Sequence, residues 1–158
     1  MTRAELIAEL HAVRAEMETL LADVGETWLT EPGALPGWSV KDILAHITSW
    51  EVDLLTNLGK VRRGVKPGKT RWASAEIQAQ NEKSYAELKD RPLHTVLEDF
   101  RGARRQTIRV LEGLTESEVE SPADWLHGRS IEQYVVANVL HHEQEHVEEL
   151  KAWRQNVT

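Results

Sequence analysis

The sequence has no cysteine and only one phenylalanine, and it contains no apolar run long enough to cross a membrane. The absence of cysteine excludes disulfides, thiolate metal ligands and a cysteine nucleophile. The first residues follow the pattern of an amphipathic helix and not that of a secretory signal. We therefore expect a cytoplasmic protein with no membrane partner.

Basic residues are fewer than acidic residues. The chain has 19 lysines and arginines against 26 aspartates and glutamates, which gives a formal net charge of −7. General nucleic-acid binding needs a basic face, so this balance predicts that nucleic acid is not a partner. Arg101, Arg104 and Arg105 form a local basic group, which we interpret as a solvated helix face.

The chain has little β-sheet signal, since no segment alternates β-branched and polar residues over a sustained stretch. Apolar residues recur instead at spacings of three and four, which predicts four long helices and an extra helical segment over 73–89, between the second and third of them. Side-chain caps mark three of the starts: Thr2 with Glu5, Ser39 with Asp42, and Ser130 with Gln133. The first and second long helices are expected to end near Gly25 and near Gly59. The third is expected to begin at Arg91-Pro92, and the last to end near Arg154. The sequence thus predicts an all-α four-helix bundle in one domain, residues 1–158.

The last long helix carries a polar run, His141-His142-Glu143-Gln144-Glu145-His146, inside its apolar stripe. With residues placed 100° apart, His142 and His146 fall within that stripe, whereas His141 is expected to be solvated. Imidazoles in an apolar seam need polar partners. Because residues at i and i+4 point the same way, His142 and His146 can share one metal ion. The alternative is a pair of core histidines satisfied by hydrogen bonds.

His46 is the candidate third ligand. It lies on the second helix, at the edge of the apolar stripe and one turn before Trp50. Three neutral nitrogen ligands leave coordination positions open, which is the pattern of catalytic rather than structural zinc. Nitrogen ligands also suit nickel, iron or copper, so the residues alone do not fix the element.

The same run matches the H-E-x-x-H pattern of zincin proteases and its inverted form H-x-x-E-H. Only 12 residues follow His146, too few for the downstream glutamate that many zincins use. The metzincin extension fails because residue 149 is glutamate and not glycine. No strand is predicted that would hold a peptide by backbone pairing. The context therefore disfavours a protease.

The segment from Gly37 to Glu51 resembles the signature of the DinB/YfiT-like metalloenzyme superfamily. In that pattern Trp38-Ser39 and Asp42 precede a metal-binding histidine at His46. The ending His142-x-x-x-His146 matches the second and third ligands of the family. A narrower similarity, to the ClbS/DfsB branch, is carried by Asn81, Arg91-Pro92-Leu93, Val96-Leu97 and Phe100. The resemblance extends from Thr2 to Trp153.

This resemblance implies an up-down-down-up four-helix bundle in which His46, His142 and His146 bind a divalent metal, zinc or nickel, near one end. It further implies the activities of characterised relatives, which include thiol-dependent S-transferases and isomerases and hydrolytic self-resistance proteins that act on reactive genotoxins. Some members of the ClbS-like branch lack part of the triad. This sequence keeps all three histidines.

Other residues are candidates for supporting roles. Asn138 and Glu149 lie near the face of the ligand histidines and are candidates to orient them. Glu149 is also the nearest carboxylate by helical angle and the candidate catalytic base, although a solvated glutamate is the simpler interpretation for it and for Glu143 and Glu145. Trp50 is the best candidate to line a pocket, because it lies one turn from His46. Four other tryptophans either join it or fill the core: Trp38, Trp72, Trp125 and Trp153.

Two functions from different classes follow. We expect an enzyme that acts on small reactive molecules. Its metal either activates water for hydrolysis of an electrophile or presents a low-molecular-weight thiol, the cosubstrate, for attack on the electrophile. The alternative is a non-catalytic stress or self-resistance protein that binds and sequesters a small molecule. The partner in both is a small electrophile. A homodimer is compatible with the sequence, which does not set the oligomeric state.

Overall fold

The computed structural model describes residues 1–158 and is all-helical, with one isolated β-bridge between Leu35 and Trp38 and no strand. The helices are α1 (Arg3–Leu21), α2 (Glu26–Thr30), α3 (Val40–Arg62), α4 (Ser74–Leu88), α5 (Leu93–Glu112), α6 (Glu116–Glu120), α7 (Ile131–Val135) and α8 (His141–Arg154). A 3-10 turn at Asp124–Leu126 precedes α7. A π-helical turn at Val136–Leu140 joins α7 to α8, so that the two form one continuous rod.

Local capping explains the starts of the long helices. The predicted caps are confirmed: the hydroxyls of Thr2, Ser39 and Ser130 each accept a hydrogen bond from the backbone N–H three residues later. The side-chain oxygen at that later position accepts one from the backbone N–H of the cap residue. The end of the first helix differs from the prediction. Helix α1 ends at Leu21, because Asp23 adopts a left-handed conformation with φ of 58°, and Gly25 caps the short α2 instead.

The second long helix, unlike the first, extends beyond its predicted end. It continues through Gly59 to Arg62. Leu58 is buried just before the glycine, and Lys60 and Arg62 place positive charge in the last turn, where the helix dipole favours it. A single glycine costs a helix interior only about 1 kcal/mol, so the surrounding packing overrides it.

The cross-helix contacts fix the direction of each rod. Helices α3 and α5 are parallel, because Lys41 near the start of α3 binds the carbonyl of Arg91 just before α5, and Glu51 binds Arg104 farther along. Helix α3 is antiparallel to the α7–α8 rod, since an early residue of one contacts a late residue of the other: His46 with His142, and Asn57 with Tyr134.

Helix α1 is parallel to the same rod, as two ion pairs show: the Met1 amino group with Glu132, and Glu16 with Lys151. The predicted up-down-down-up four-helix bundle is therefore confirmed. Its core is a cluster of 27 buried hydrophobic residues contributed by all four rods. Burial of this apolar surface provides the main stabilisation of such a bundle.

The extra helical segment lies outside this core. Helix α4 contributes one buried residue, Ser84, and packs on α3 beside the histidines. Its start and middle are held by polar contacts, among them a hydrogen bond of 2.8 Å from Trp50 Nε1 to Asn81 Oδ1. Trp38 stacks on Tyr85 at 5.6 Å between ring centroids. None of the helices combines the length and apolar composition that crossing a bilayer requires.

Candidate metal centre

The fold brings together the three histidines that the sequence singled out. His46 projects from α3, and His142 and His146 project from α8. The Nε2 atom of His142 lies 2.8 Å from Nε2 of His46 and 3.2 Å from Nε2 of His146. One ligand nitrogen from each residue lies within 4.8 Å of the others. The three rings are steeply inclined to one another, so their edges and not their faces converge.

The two distances from His142 Nε2 fit a shared ion. Two imidazole nitrogens that each lie about 2.0–2.1 Å from a zinc ion, with N–Zn–N angles between about 90° and 109°, are about 2.8–3.4 Å apart. The Nδ1 atom of His146 is 2.6 Å from Glu149 Oε2, so the tautomer that donates to this carboxylate leaves a lone pair on Nε2, directed at His142. A carboxylate behind a ligand histidine is a recurrent support of metal sites.

The electrostatics of the cluster keep His46 and His142 neutral. Burial lowers the pKa of His46 to about 3, with the neighbouring His142 and His146 adding to the shift. Burial lowers the pKa of His142 to about 4, and His146 contributes further. Both imidazoles are therefore uncharged at neutral pH, which is the form that binds metal ions.

His46 also has an unpartnered polar atom. Its Nδ1 is the one buried side-chain nitrogen or oxygen in the molecule without a hydrogen-bond partner. Trp38 packs edge-on against the same ring, with centroids 5.3 Å apart. Leaving such a group unsatisfied costs about 1–3 kcal/mol, and an ion bound at the other ring nitrogen, Nε2, would not remove this cost. The donor set and this burial both fit a ligand role.

A pocket of about 440 Å³ opens beside the triad, between α3, α4, the loop before α4 and the rod. Its lining includes His46, His142, Trp50, Trp72, Arg71, Arg129, Asn138 and Glu145. Trp50 and Trp72 meet edge-to-face at 5.2 Å. Of the five tryptophans considered from the sequence, these two line the pocket. Two others pack elsewhere, Trp125 against Tyr134 and Trp153 in the core.

The candidates for supporting roles have distinct positions. Glu149 contacts His146 on the ring nitrogen that faces away from the triad, and it does not line the pocket. Glu145 is the only carboxylate in the pocket lining. Asn138 also lines the pocket, but its side chain donates to the Tyr134 carbonyl and not to a histidine. His141 is exposed, as the helical angles predict.

The sequence interpretation missed a second buried polar cluster, which we call the ion tetrad: Arg14, Glu51, Arg104 and Glu143. The interpretation of Arg104 as part of a solvated face was wrong, because its side chain is buried and donates to Glu51 at 2.9 Å and to Glu143. Glu143 was wrongly expected to be solvated and is fully buried, where it accepts from Arg14 at 2.7 Å. A charge inside the bundle persists only when it is paired, and these four charges balance.

A signal for the ion tetrad is present in the sequence. Each of its four members has a core residue four positions before it and another three or four positions after it. The flanking pairs are Leu10 and Met17 for Arg14, Ile47 and Leu54 for Glu51, Phe100 and Ile108 for Arg104, and Val139 and Val147 for Glu143. A charged residue at such a position, with opposite charges at like positions on other helices, predicts a buried ion pair. The signal is weak for any one residue and becomes clear for the set.

Solved structures with the same fold include proteins of low sequence identity. The chain superposes on a protein from Streptococcus pneumoniae with a TM-score of 0.88 at 12% identity, covering 100% of this chain and 93% of that one. It superposes on DfsB, described as a sibling lethal factor precursor, with a TM-score of 0.86 at 14% identity, over 100% and 99% of the two chains. At such identities the likeness shows the fold alone.

A third structure corrects one prediction. The colibactin self-resistance protein ClbS, solved in complex with double-stranded DNA, matches with a TM-score of 0.84 at 14% identity, over 99% of this chain and 98% of that one. The prediction that nucleic acid is not a partner was wrong in its reasoning, because a protein of this fold binds DNA. A negative net charge describes the whole surface, whereas binding depends on local charge.

The family follows from the sequence itself. No curated protein matches the chain significantly. The sequence model of the DinB superfamily, however, matches residues 2–150, which is nearly the whole chain and includes all three histidines. The predicted family is thereby confirmed, and ClbS and DfsB are among the proteins that share its fold. The chain belongs to the DinB superfamily.

Proposed function

We propose that this protein is a metal-dependent enzyme that acts on a small electrophile, either by transferring a low-molecular-weight thiol to it or by hydrolysing it. The observation that carries the proposal is the convergence of three imidazole nitrogens beside a pocket of about 440 Å³, which His46 and His142 line. Three nitrogen ligands without sulfur or carboxylate suit a divalent ion such as zinc or nickel and leave coordination positions open. The pocket has the size of a small-molecule site.

A bound divalent ion supplies Lewis acidity, which lowers the pKa of a water or a thiol at the pocket. The residues of the chain provide the remaining functions. Glu149 orients His146 through Nδ1. Trp50 and Trp72 form an apolar wall that holds the electrophile and limits access of bulk water.

Glu145 is the carboxylate placed to accept the proton of the attacking group, because no other carboxylate lines the pocket. In hydrolysis the oxygen of water bonds to the electrophilic carbon, and the leaving group departs with its electron pair. In thiol transfer the sulfur forms that bond, and the thiol proton passes to Glu145. Since the chain has no cysteine, the sulfur must come from a cosubstrate.

A non-catalytic function is the alternative. ClbS is named as a self-resistance protein, and a protein with that role can act by holding a toxin without turning it over. The same pocket would then sequester the electrophile. This alternative needs the pocket but not the coordination of an ion by His46, His142 and His146, so the two functions predict different effects of one substitution.

The test compares His46→Ala with His141→Ala, an exposed histidine outside the triad. Wild type and both variants are loaded with zinc or nickel and mixed with an aryl halide electrophile, with and without a low-molecular-weight thiol, and product is followed by chromatography. The proposal expects product with wild type and His141→Ala and a loss of at least about 100-fold in His46→Ala, since the metal supplies several kcal/mol to the reaction. Tight binding without product, unchanged in His46→Ala, would favour sequestration.

A further inference from the structure

The lining of the pocket includes two cations without acidic partners. Arg71 and Arg129 both line the pocket, and neither forms a salt bridge. Arg91 pairs with Asp99 and Arg101 with Glu18, whereas other exposed arginines, such as Arg105, form no salt bridge. Arg71 and Arg129 differ from those in lining one pocket, where they supply local positive charge in a protein of net charge −7.

Arg129 is held in place. Its Nη2 donates to the Thr70 carbonyl at 2.9 Å and its Nε to the Leu126 carbonyl at 3.3 Å. Its guanidinium carbon also lies 5.7 Å from the centroid of the Tyr134 ring. Carbonyl contacts fix the side chain without neutralising it. The charge therefore stays available, and less conformational entropy is lost when a ligand pairs with it.

The flank beside these arginines is aromatic. Trp50 and Trp72 pack edge-to-face, and the hydrogen bond from Trp50 Nε1 to Asn81 fixes the Trp50 ring. The only negative charge in the lining is Glu145, on the α8 wall that carries His142. With the histidines neutral, the lining has a formal charge of plus one, and the two cations lie on segments other than α8.

We infer that this pocket takes a small molecule that carries an anionic group, a carboxylate or a phosphate, which Arg71 and Arg129 bind while an apolar or aromatic part lies against Trp50 and Trp72. Guanidinium groups match the planar, two-oxygen geometry of these anions. The inference rests on the proposed function only in placing the reacting end of that molecule at the histidines. It assigns the substrate, or its thiol cosubstrate, to the class of organic anions.

The test uses three probes of similar size: phenylacetate, phenyl phosphate and the uncharged phenylacetamide. Binding is followed by the indole N–H resonances of Trp50 and Trp72, assigned with Trp50→Phe and Trp72→Phe. At least one anionic probe is expected to bind about tenfold more tightly than phenylacetamide, because charge-assisted hydrogen bonds are about twice as strong as neutral ones. Which anion binds more tightly distinguishes a carboxylate ligand from a phosphate ligand.

Arg71→Gln should reduce this anionic preference at least about threefold without affecting the fold, because Arg71 is exposed. Arg129→Gln should reduce the anionic preference by a larger factor than Arg71→Gln does. Arg129→Lys, which keeps the charge, should retain more of the preference than Arg129→Gln. Arg105→Gln is the matched control, since Arg105 is an exposed arginine on α5 outside this pocket. Equal binding of charged and uncharged probes, or a preference that Arg71→Gln and Arg129→Gln leave unchanged, would overturn the inference.

A measurement on His46→Ala separates this inference from the proposed reaction. If the arginines bind the anion, the preference persists in His46→Ala, even if no preparation holds metal or forms product. If the anion binds a metal ion directly, the preference disappears in His46→Ala and survives in Arg71→Gln, which contradicts the role of the arginines. Turnover of uncharged electrophiles with no anionic preference would leave the proposed reaction intact and remove this inference.

Discussion

Two polar clusters lie inside the same bundle, and they are anchored by adjacent residues of one helix. Glu143 belongs to the ion tetrad and His142 to the histidine triad. In the ion tetrad two arginines meet two glutamates, and the remaining donors reach backbone carbonyls, as Arg104 does with Leu10. In the triad, nitrogen faces nitrogen, and one buried ring nitrogen has no partner.

The difference shows how buried polar groups divide between structure and function. The ion tetrad is complete within the chain, since donors meet acceptors and the charges cancel. The triad brings three ring nitrogens together with no charge to balance among them, and their lone pairs can bind a positive ion. A cluster whose donors and acceptors pair within the chain is expected to contribute to stability and to the specificity of the fold. A cluster of neutral nitrogen donors without such pairing is expected to bind an ion from outside the chain.

The largest effect on stability is expected from a substitution that breaks the ion tetrad. Glu143→Ala leaves Arg14 and Arg104 buried with half of their acidic partners gone, so the free energy of unfolding should fall by about 3–5 kcal/mol. Urea denaturation of wild type and variant measures the change. Glu148→Ala, an exposed glutamate five residues on, should change it by less than about 0.5 kcal/mol. A loss below 1 kcal/mol for Glu143→Ala would mean that the ion tetrad is not a structural element.

The next effect concerns pH and the triad. The folded pKa values of His46 and His142 are about 3 and about 4, below the value near 6.5 that an unfolded chain gives. Between these limits the unfolded state binds more protons than the folded state, so stability is complete above pH 6.5 and is lost as the pH falls toward 4. The slope should reach about 1.4 kcal/mol per pH unit for each histidine.

This slope is measured by urea denaturation of chelator-treated protein between pH 7 and 4.5. Chelation is needed because a bound ion adds its own dependence on pH. The double variant with His46→Gln and His142→Gln should lose most of the slope over the same range. An identical slope in wild type and double variant would show that these two histidines are not held neutral in the folded protein.

A smaller effect, on metal affinity, is expected from Glu149, which contacts the ligand histidine His146. Glu149→Gln keeps the size of the side chain but weakens the hydrogen bond to His146 Nδ1, so the affinity for zinc should fall by about 10–100-fold. Competition with a chromophoric chelator measures it. Glu148→Gln is the matched control, because its exposed side chain pairs with Lys151 and not with a histidine. Equal affinities for both variants would remove Glu149 from the site.

Much of the fold could be predicted from the sequence because its determinants are local. Capping by Thr2, Ser39 and Ser130 depends on residues only three positions apart, and helical periodicity places His142 and His146 on one side of their helix. His46 was proposed from its place at the edge of the apolar stripe of the second helix and then matched the family motif, and the fold places its Nε2 atom 2.8 Å from Nε2 of His142. That these residues bind a metal stays a prediction.

The features that escaped prediction depend on long-range contacts or on an irregular turn. Glu143 contacts Arg14, which is 129 positions away, so the local spacing of core residues indicates burial but does not indicate which charges pair. The π-helical turn at Val136–Leu140 adds a residue to one turn of the rod, which regular helical periodicity does not predict. Glu143 lies between the core residues Val139 and Val147, and it was interpreted as solvated because glutamate is rarely buried without a partner.

The metal content of the purified protein tests the central claim most directly. The chain is produced without an affinity tag, and its zinc and nickel per chain are measured by elemental analysis alongside His142→Ala and His141→Ala. We predict close to one ion per chain in wild type and in His141→Ala, and a loss of at least about tenfold in His142→Ala, whose ring is the one within 3.2 Å of both other histidines. Equal metal content in wild type and His142→Ala, with both folded, would contradict the claim that the three histidines hold a metal ion.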